Sequence, residues 1–267
     1  MPTGSKAKIP VNELNYWYYQ PILEKDNWVE SRNSFKRLLN RELLPLSITY
    51  EAPLSKIPKS TTFIYKFCYG NLLMPWLTNE FNFSSIFLIR HPGAVIASQL
   101  KHGSWHHINN SKSYPFILPE FRNSNYFYKY KDILSKIRTP EENLAAMWAI
   151  STMHIVNHPR HNLSWKTVSY EHLYHQPKET LESLFDWIGI PIPSIIMDTI
   201  QVPSKTTIPS SLESLQSKSQ IEKWRESLSN DQILRIANIL NESGVDYYSM
   251  SNDFPGGKRI EWRIMNK

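Results

Sequence analysis

The stretch Ile86-Phe-Leu-Ile-Arg90-His-Pro92-Gly-Ala-Val-Ile-Ala-Ser98 limits what this chain can fold into more than any other. Ile86 to Ile89 is a short apolar run with the length and composition of a buried strand. Pro92 ends it, because proline offers no N–H to a ladder and biases His91 toward extended backbone. Ala94 to Lys101 then has the character of a helix, with Ser98 on its second turn. A strand that feeds a helix through a tight turn is the repeating unit of an α/β fold. It sets Arg90 at the C-terminal edge of a sheet, and the Ser98 hydroxyl, eight residues later, faces the same crevice. Open α/β sheets bind their ligands in that crevice. A guanidinium fork beside a hydroxyl suits a phosphate monoester. The plainer alternative is an arginine paired with a neighbour and a serine that only faces solvent.

Other segments extend the pattern. Phe63 to Gly70 reads as an earlier parallel strand carrying Lys66, followed by an amphipathic segment from Leu72 to Phe81. Thr139-Pro140-Glu141-Glu142 is a helix start, with threonine as N-cap and proline at the first position, and the helix runs to about His158. Leu163 to Ser169 leads into Tyr170-Glu171-His172-Leu173, with Pro177 beyond. Leu181, Leu184, Phe185 and Ile188 then recur at helical spacing over Lys178 to Ile188, with Gly189 and Pro191 as stop signals. Ser229 is a suitable N-cap for a helix over Asn230 to Asn241, whose Ile233, Ile236, Ala237 and Leu240 form one apolar face.

These segments, in this order, resemble the sulfotransferases that use 3′-phosphoadenosine 5′-phosphosulfate (PAPS), in the manner of bacterial sulfotransferase-domain proteins. In that family a strand-end Arg and a Ser eight residues on hold the nucleotide's 3′-phosphate, and Arg90 and Ser98 match in type and spacing. Family members often carry a strand-end Lys where Lys66 stands. The cytosolic branch has its general base, a His, two residues beyond; Cys68 occupies that position here, which leaves the base unassigned. The run through Tyr170, Glu171, Leu173 and Pro177 resembles the family's Tyr-Glu-Asp-Leu element, whose tyrosine lies near the adenine. The run from Ser217 to Ser229 resembles the late loop that covers the 3′-phosphate; it keeps Lys218 and Trp224 but lacks the loop's glycines. Each residue also has a structural reading. Lys66 and Lys218 suit solvated charges, and Tyr170 suits a sheet–helix seam. His106, His107 and Glu171 are candidate bases without a family match, and Glu171 also suits a structural pair.

The resemblance implies a central, mostly parallel sheet flanked by helices, in the sulfotransferase version of the P-loop NTPase architecture. It spans roughly residues 60–250 and leaves out the Gly-rich 5′-phosphosulfate loop, which nothing in residues 1–50 supplies. Pro58-Lys-Ser-Thr-Thr62 lacks the glycine and leads into an expected strand, so it reads as a decoy. Aromatic, helical material over residues 14–45, of the kind that follows the loop in bacterial relatives, suggests a chain that begins just after it and lacks the first strand. The expected organisation is a flexible start over 1–10, one α/β domain over 11–250 with an aromatic acceptor-side insertion or lid at 103–138, and a tail over 251–267.

Composition supports one enzyme-sized unit with an anionic ligand. A chain of 267 residues with 41% apolar content has enough core for one domain. The net charge of +6 fits an anionic ligand, while the scattered Lys and Arg residues form no nucleic-acid reading motif. The single cysteine excludes an internal disulfide and suits a reducing cytoplasm. No run reaches membrane-spanning length, and His106-His107 lacks a third ligand at metal spacing. The expectation is therefore metal-free sulfonate transfer from PAPS to a hydroxyl or amine on a small molecule or carbohydrate. The alternatives are a truncated or silent nucleotide-binding module and, more remotely, a P-loop kinase-like enzyme. The kinase-like reading is opposed by the missing Gly-x-x-x-x-Gly-Lys-Ser/Thr pattern.

Overall fold

The computed structural model describes residues 20–22, 27–40, 42, 64–102, 124–194, 196, 220–256 and 260. The elements, in chain order, are α1 (Val29–Leu39), α2 (Met74–Glu80), β1 (Ser85–Ile89), α3 (Pro92–Lys101), α4 (Asn125–Tyr128), α5 (Lys131–Lys136), α6 (Pro140–Val156), β2 (Trp165–Ser169), α7 (Tyr170–His175), α8 (Pro177–Ile188), α9 (Trp224–Ser227) and α10 (Asn230–Glu242).

Among the described residues, β1 and β2 form a two-stranded parallel sheet, with Ser85 opposite Trp165 and Ile89 opposite Ser169. Phe87 and Ile89 point into the core, while Ile86 and Leu88 are exposed on the other face. Helix α6 packs against α3, α5 and α10 and is buried around nearly its whole circumference, as its apolar composition requires. A capping box starts it: Thr139 accepts from the Glu142 N–H, and the Glu142 side chain accepts from the Thr139 N–H. The same device starts α10 through Ser229 and Gln232. Helix α8 ends at Gly189, whose left-handed backbone (φ 76°) is the conformation that favours glycine. The main core joins β1, β2, α3, α6 and α10, and Phe127 and Leu134 of α4 and α5 add to it. A second apolar cluster holds α1 against α2 through Phe35, Leu38, Trp76 and Leu77, closed on the surface by the Arg32–Glu80 ion pair (2.8 Å).

Of the strand expected over Phe63–Gly70, the described residues 64–70 form none. Residues 64–67 lie outside any ladder, Ile64 is exposed, and residues 68–69 turn into α2. The alternating aromatics that read as a strand face α1 instead: the Tyr65 hydroxyl donates to the Leu38 carbonyl (2.9 Å), and Phe67 packs on Phe35. Packing of Tyr65 and Phe67 against a helix satisfies the same period that a sheet would. The described part of the expected lid, residues 124–138, is packed on α6 as core-forming helix. Residues 251–256, expected in a tail, are tied to the domain: Arg225 pairs with Asp253 (2.8 Å), and the Gly256 N–H donates to the Tyr247 carbonyl (2.9 Å).

Gly93, at the start of α3, leaves no room for a side chain. A Cβ there meets the Trp224 ring at 2.6 to 2.9 Å. Gly93→Ala is expected to destabilise the domain by about 1–3 kcal/mol through overpacking, read as a lower urea midpoint with an unchanged m-value.

Candidate functional site

The parallel pairing carries the two strand ends to one place. Ile89 stands opposite Ser169, so the next residues, Arg90 and Tyr170, leave the sheet side by side. The Arg90 guanidinium lies over the Tyr170 ring, 4.3 Å from its centroid, a cation–π contact. Its Nε is buried and has no hydrogen-bond partner among the described residues. Among the described residues Arg90 has no carboxylate partner either, so the plain ion-pair reading of this arginine is not realised. An orphaned guanidinium N–H is the donor that an anion oxygen would satisfy.

The turn after β1 is fixed from every side. His91 is fully buried and N-caps α3, its Nδ1 accepting from the Gly93 N–H (3.1 Å). Its Nε2 reaches the carbonyls of Ser249 and Asn252, both at 3.1 Å. Carbonyls only accept, so Nε2 carries the hydrogen and the ring is neutral. Trp224 stacks on the imidazole with centroids 4.7 Å apart, and Tyr248 meets it edge-on. The late Trp224 segment and the Arg90 turn are thus parts of one assembly.

Glu171, beside Tyr170, is 1% exposed. Its Oε1 accepts from the His91 N–H (2.9 Å) and its Oε2 from the Tyr248 hydroxyl (2.5 Å). Burial pushes its carboxyl up from the usual range, against the pull of these two hydrogen bonds and of Arg90. With both oxygens engaged inside the protein, Glu171 is a structural acceptor in this arrangement and not a base turned toward a ligand.

Of the other site residues expected from the sequence, Ser98 is on α3 and exposed. Lys66 is exposed in the segment packed on α1 and shares no hydrogen bond, ion pair or ring contact with Arg90, Ser98 or Tyr170. Cys68 is exposed and unpaired. Lys218, His106 and His107 lie outside the described residues. Sequence reasoning missed His91, Trp148 and Tyr248 as parts of the site. Their signal was weak: a histidine before a proline, and aromatics inside otherwise ordinary apolar patterns.

Buried neutral histidines give the domain a pH dependence. Burial lowers His91 to about 4 and His154, with added repulsion from His158 and Lys129, to about 3. In the unfolded chain both take up a proton near pH 6.5. Between that pH and the folded values the unfolded state binds more protons, so stability falls on acidification. His91 alone is expected to withdraw about 3 kcal/mol between pH 6.5 and 4. Urea midpoints at stepped pH measure the slope, and His154→Phe is expected to flatten it.

Comparison with known proteins places the chain. The family model described as "Sulfotransferase domain" matches residues 71–247, more than half of the chain. No curated protein matches, and no solved structure does. Among the described residues, no helix is long and apolar enough to cross a membrane.

Proposed function

Because the chain belongs to the sulfotransferase domain family, we propose that it transfers a sulfonate group from PAPS to a hydroxyl or amine acceptor, a small molecule or a carbohydrate. Arg90 binds the donor's 3′-phosphate, and the Ser98 hydroxyl adds a hydrogen bond. Tyr170 backs the guanidinium and borders the adenine, and Lys218 stands near the 3′-phosphate. The observation that carries this reading is the Arg90 side chain. It sits at the C-terminal end of a parallel strand, stacked on Tyr170, with a buried Nε donor that has no partner among the described residues. Phosphate oxygens accept such donors, and the cationic fork matches their charge. The net charge of +6 agrees with an anionic donor.

In the reaction the acceptor oxygen or nitrogen attacks sulfur and forms the new bond. The bond from sulfur to the bridging phosphate oxygen breaks, 3′,5′-ADP leaves with the electron pair, and the acceptor's proton passes to a base. No metal enters this scheme. The base is unassigned, since both Glu171 oxygens are held within the protein. Lys66 is the proposed cation at the sulfonate, on the family resemblance alone. The occupied state of Glu171 also favours a second reading, a module that binds the nucleotide without turning it over. We place the protein in the cytoplasm, in keeping with its single, unpaired cysteine.

Incubation with PAPS labelled in its sulfonate, across sugar, phenol and amine acceptors, separates the two. The expected result is labelled acceptor with an equal amount of 3′,5′-ADP. Label that stays on the donor, while 3′,5′-ADP binds, favours the silent module.

A further inference from the structure

The peptide that joins Arg90 to His91 has both polar groups taken by side chains from distant elements. The Trp148 Nε1–H donates to the Arg90 carbonyl (3.2 Å), and the His91 N–H donates to Glu171 Oε1 (2.9 Å). Neither bond belongs to the sheet ladder or to a helix. The gripping residues are themselves held: Trp148 is on the buried α6, and Glu171 receives the hydroxyl of Tyr248, which is 4% exposed. Burying a carboxylate is costly unless its oxygens are hydrogen-bonded, and here the pairing is complete within the protein. What this arrangement fixes is one peptide plane, and that plane sets the direction in which the Arg90 side chain leaves the backbone. Tyr170, the neighbour of Glu171, then supports the guanidinium face.

We infer that Glu171 is a positioning residue for Arg90: through the His91 N–H it locks the peptide from which the arginine departs, with Trp148 holding the opposite end of that peptide and Tyr248 holding the carboxylate. The inference rests on the reading of Arg90 as the 3′-phosphate ligand. A pre-ordered arginine spends less of its binding free energy on being immobilised, so loss of the lock weakens the 3′-phosphate contact specifically.

Calorimetric titration with 3′,5′-ADP and with 5′-AMP tests it on the full chain as wild type, Glu171→Ala, Glu171→Gln and Trp148→Phe. The readout is the affinity ratio between the two nucleotides, which isolates the 3′-phosphate. Glu171→Ala is expected to cut the ratio about tenfold while 5′-AMP affinity stays within twofold. Glutamine keeps an acceptor oxygen for the His91 N–H and an amide to meet the Tyr248 oxygen, so Glu171→Gln is expected to keep the ratio within about twofold of wild type. Trp148→Phe frees the other end of the peptide and is expected to cut the ratio about threefold, which keeps the test open if Glu171→Ala does not fold. A folded Glu171→Ala, or in its absence a folded Trp148→Phe, that retains the full ratio overturns the inference. A merely structural role would lower the melting temperature and leave the ratio alone. If wild type binds the two nucleotides equally, the 3′-phosphate reading of Arg90 fails. The lock is then judged by amide exchange at His91. Exchange at least tenfold faster in Glu171→Ala (Trp148→Phe if that variant fails to fold) than in Glu171→Gln supports it, and equal exchange overturns it.

Discussion

Arg90→Ala is expected to remove most of the chain's preference for the 3′-phosphate, leaving 3′,5′-ADP bound only slightly more tightly than 5′-AMP through Ser98 and Lys218. The guanidinium offers a planar fork of charged donors, and its buried Nε has no partner among the described residues. Hydrogen bonds to a charged group contribute about 1.5–3 kcal/mol each, so two lost bonds cost roughly a hundredfold to ten-thousandfold in affinity for the 3′-phosphorylated nucleotide. Because Arg90 makes no ion pair among the described residues, the change is expected to leave the melting temperature within a few degrees of wild type. Arg90→Lys keeps the charge and loses the fork, and is expected to recover only part of the affinity. Titration calorimetry on the three chains reads both effects. Ser98 is exposed and supplies one neutral hydrogen bond in this account, so Ser98→Ala is the smaller change.

The largest loss of stability is expected from Trp224→Ala. Trp224 is 3% exposed, fills the space above Gly93 and stacks on His91. Truncating a buried tryptophan costs about 3–5 kcal/mol, a large share of the roughly 5–15 kcal/mol that holds a typical domain together. The turn that carries Arg90 loses its cover in the same step, since His91 keeps its hydrogen bonds to Ser249 and Asn252 but not its stacking partner. The loss is expected to be non-additive with Gly93→Ala. Once the indole is gone, the new methyl group has room, so the double variant is expected to be no less stable than Trp224→Ala alone. Urea denaturation of the two single variants and the double variant closes this cycle.

The sequence made the local devices legible. The β1 run, the break at Pro92, the capping residues Thr139 and Ser229, and Gly189 at the end of α8 are each signals spelled within a few residues, and each is realised. The reading of Phe63–Gly70 as a strand failed because alternation reports that one side is packed and not what it packs on; Tyr65 and Phe67 found α1. The assembly around Arg90 was half legible. Once the two strands are paired in parallel with Ile89 opposite Ser169, Arg90 must stand beside Tyr170. The long-range bonds could not be read in the same way. His91 and Glu171 are 80 residues apart, and Tyr248 and Glu171 are 77, and no periodicity links a hydroxyl near the C-terminal turn to a carboxylate after β2. The family resemblance supplied the order of the motifs, and the structure showed that the Trp224 segment closes over the Arg90 turn.

Whether this chain carries a site for a 3′-phosphorylated adenosine nucleotide is decided by titrating the wild-type protein with 3′,5′-ADP beside 5′-AMP. Saturable heat is expected with 3′,5′-ADP, and binding at least about a hundredfold weaker with 5′-AMP. Equal affinity for both nucleotides, or no heat with either, would contradict such a site.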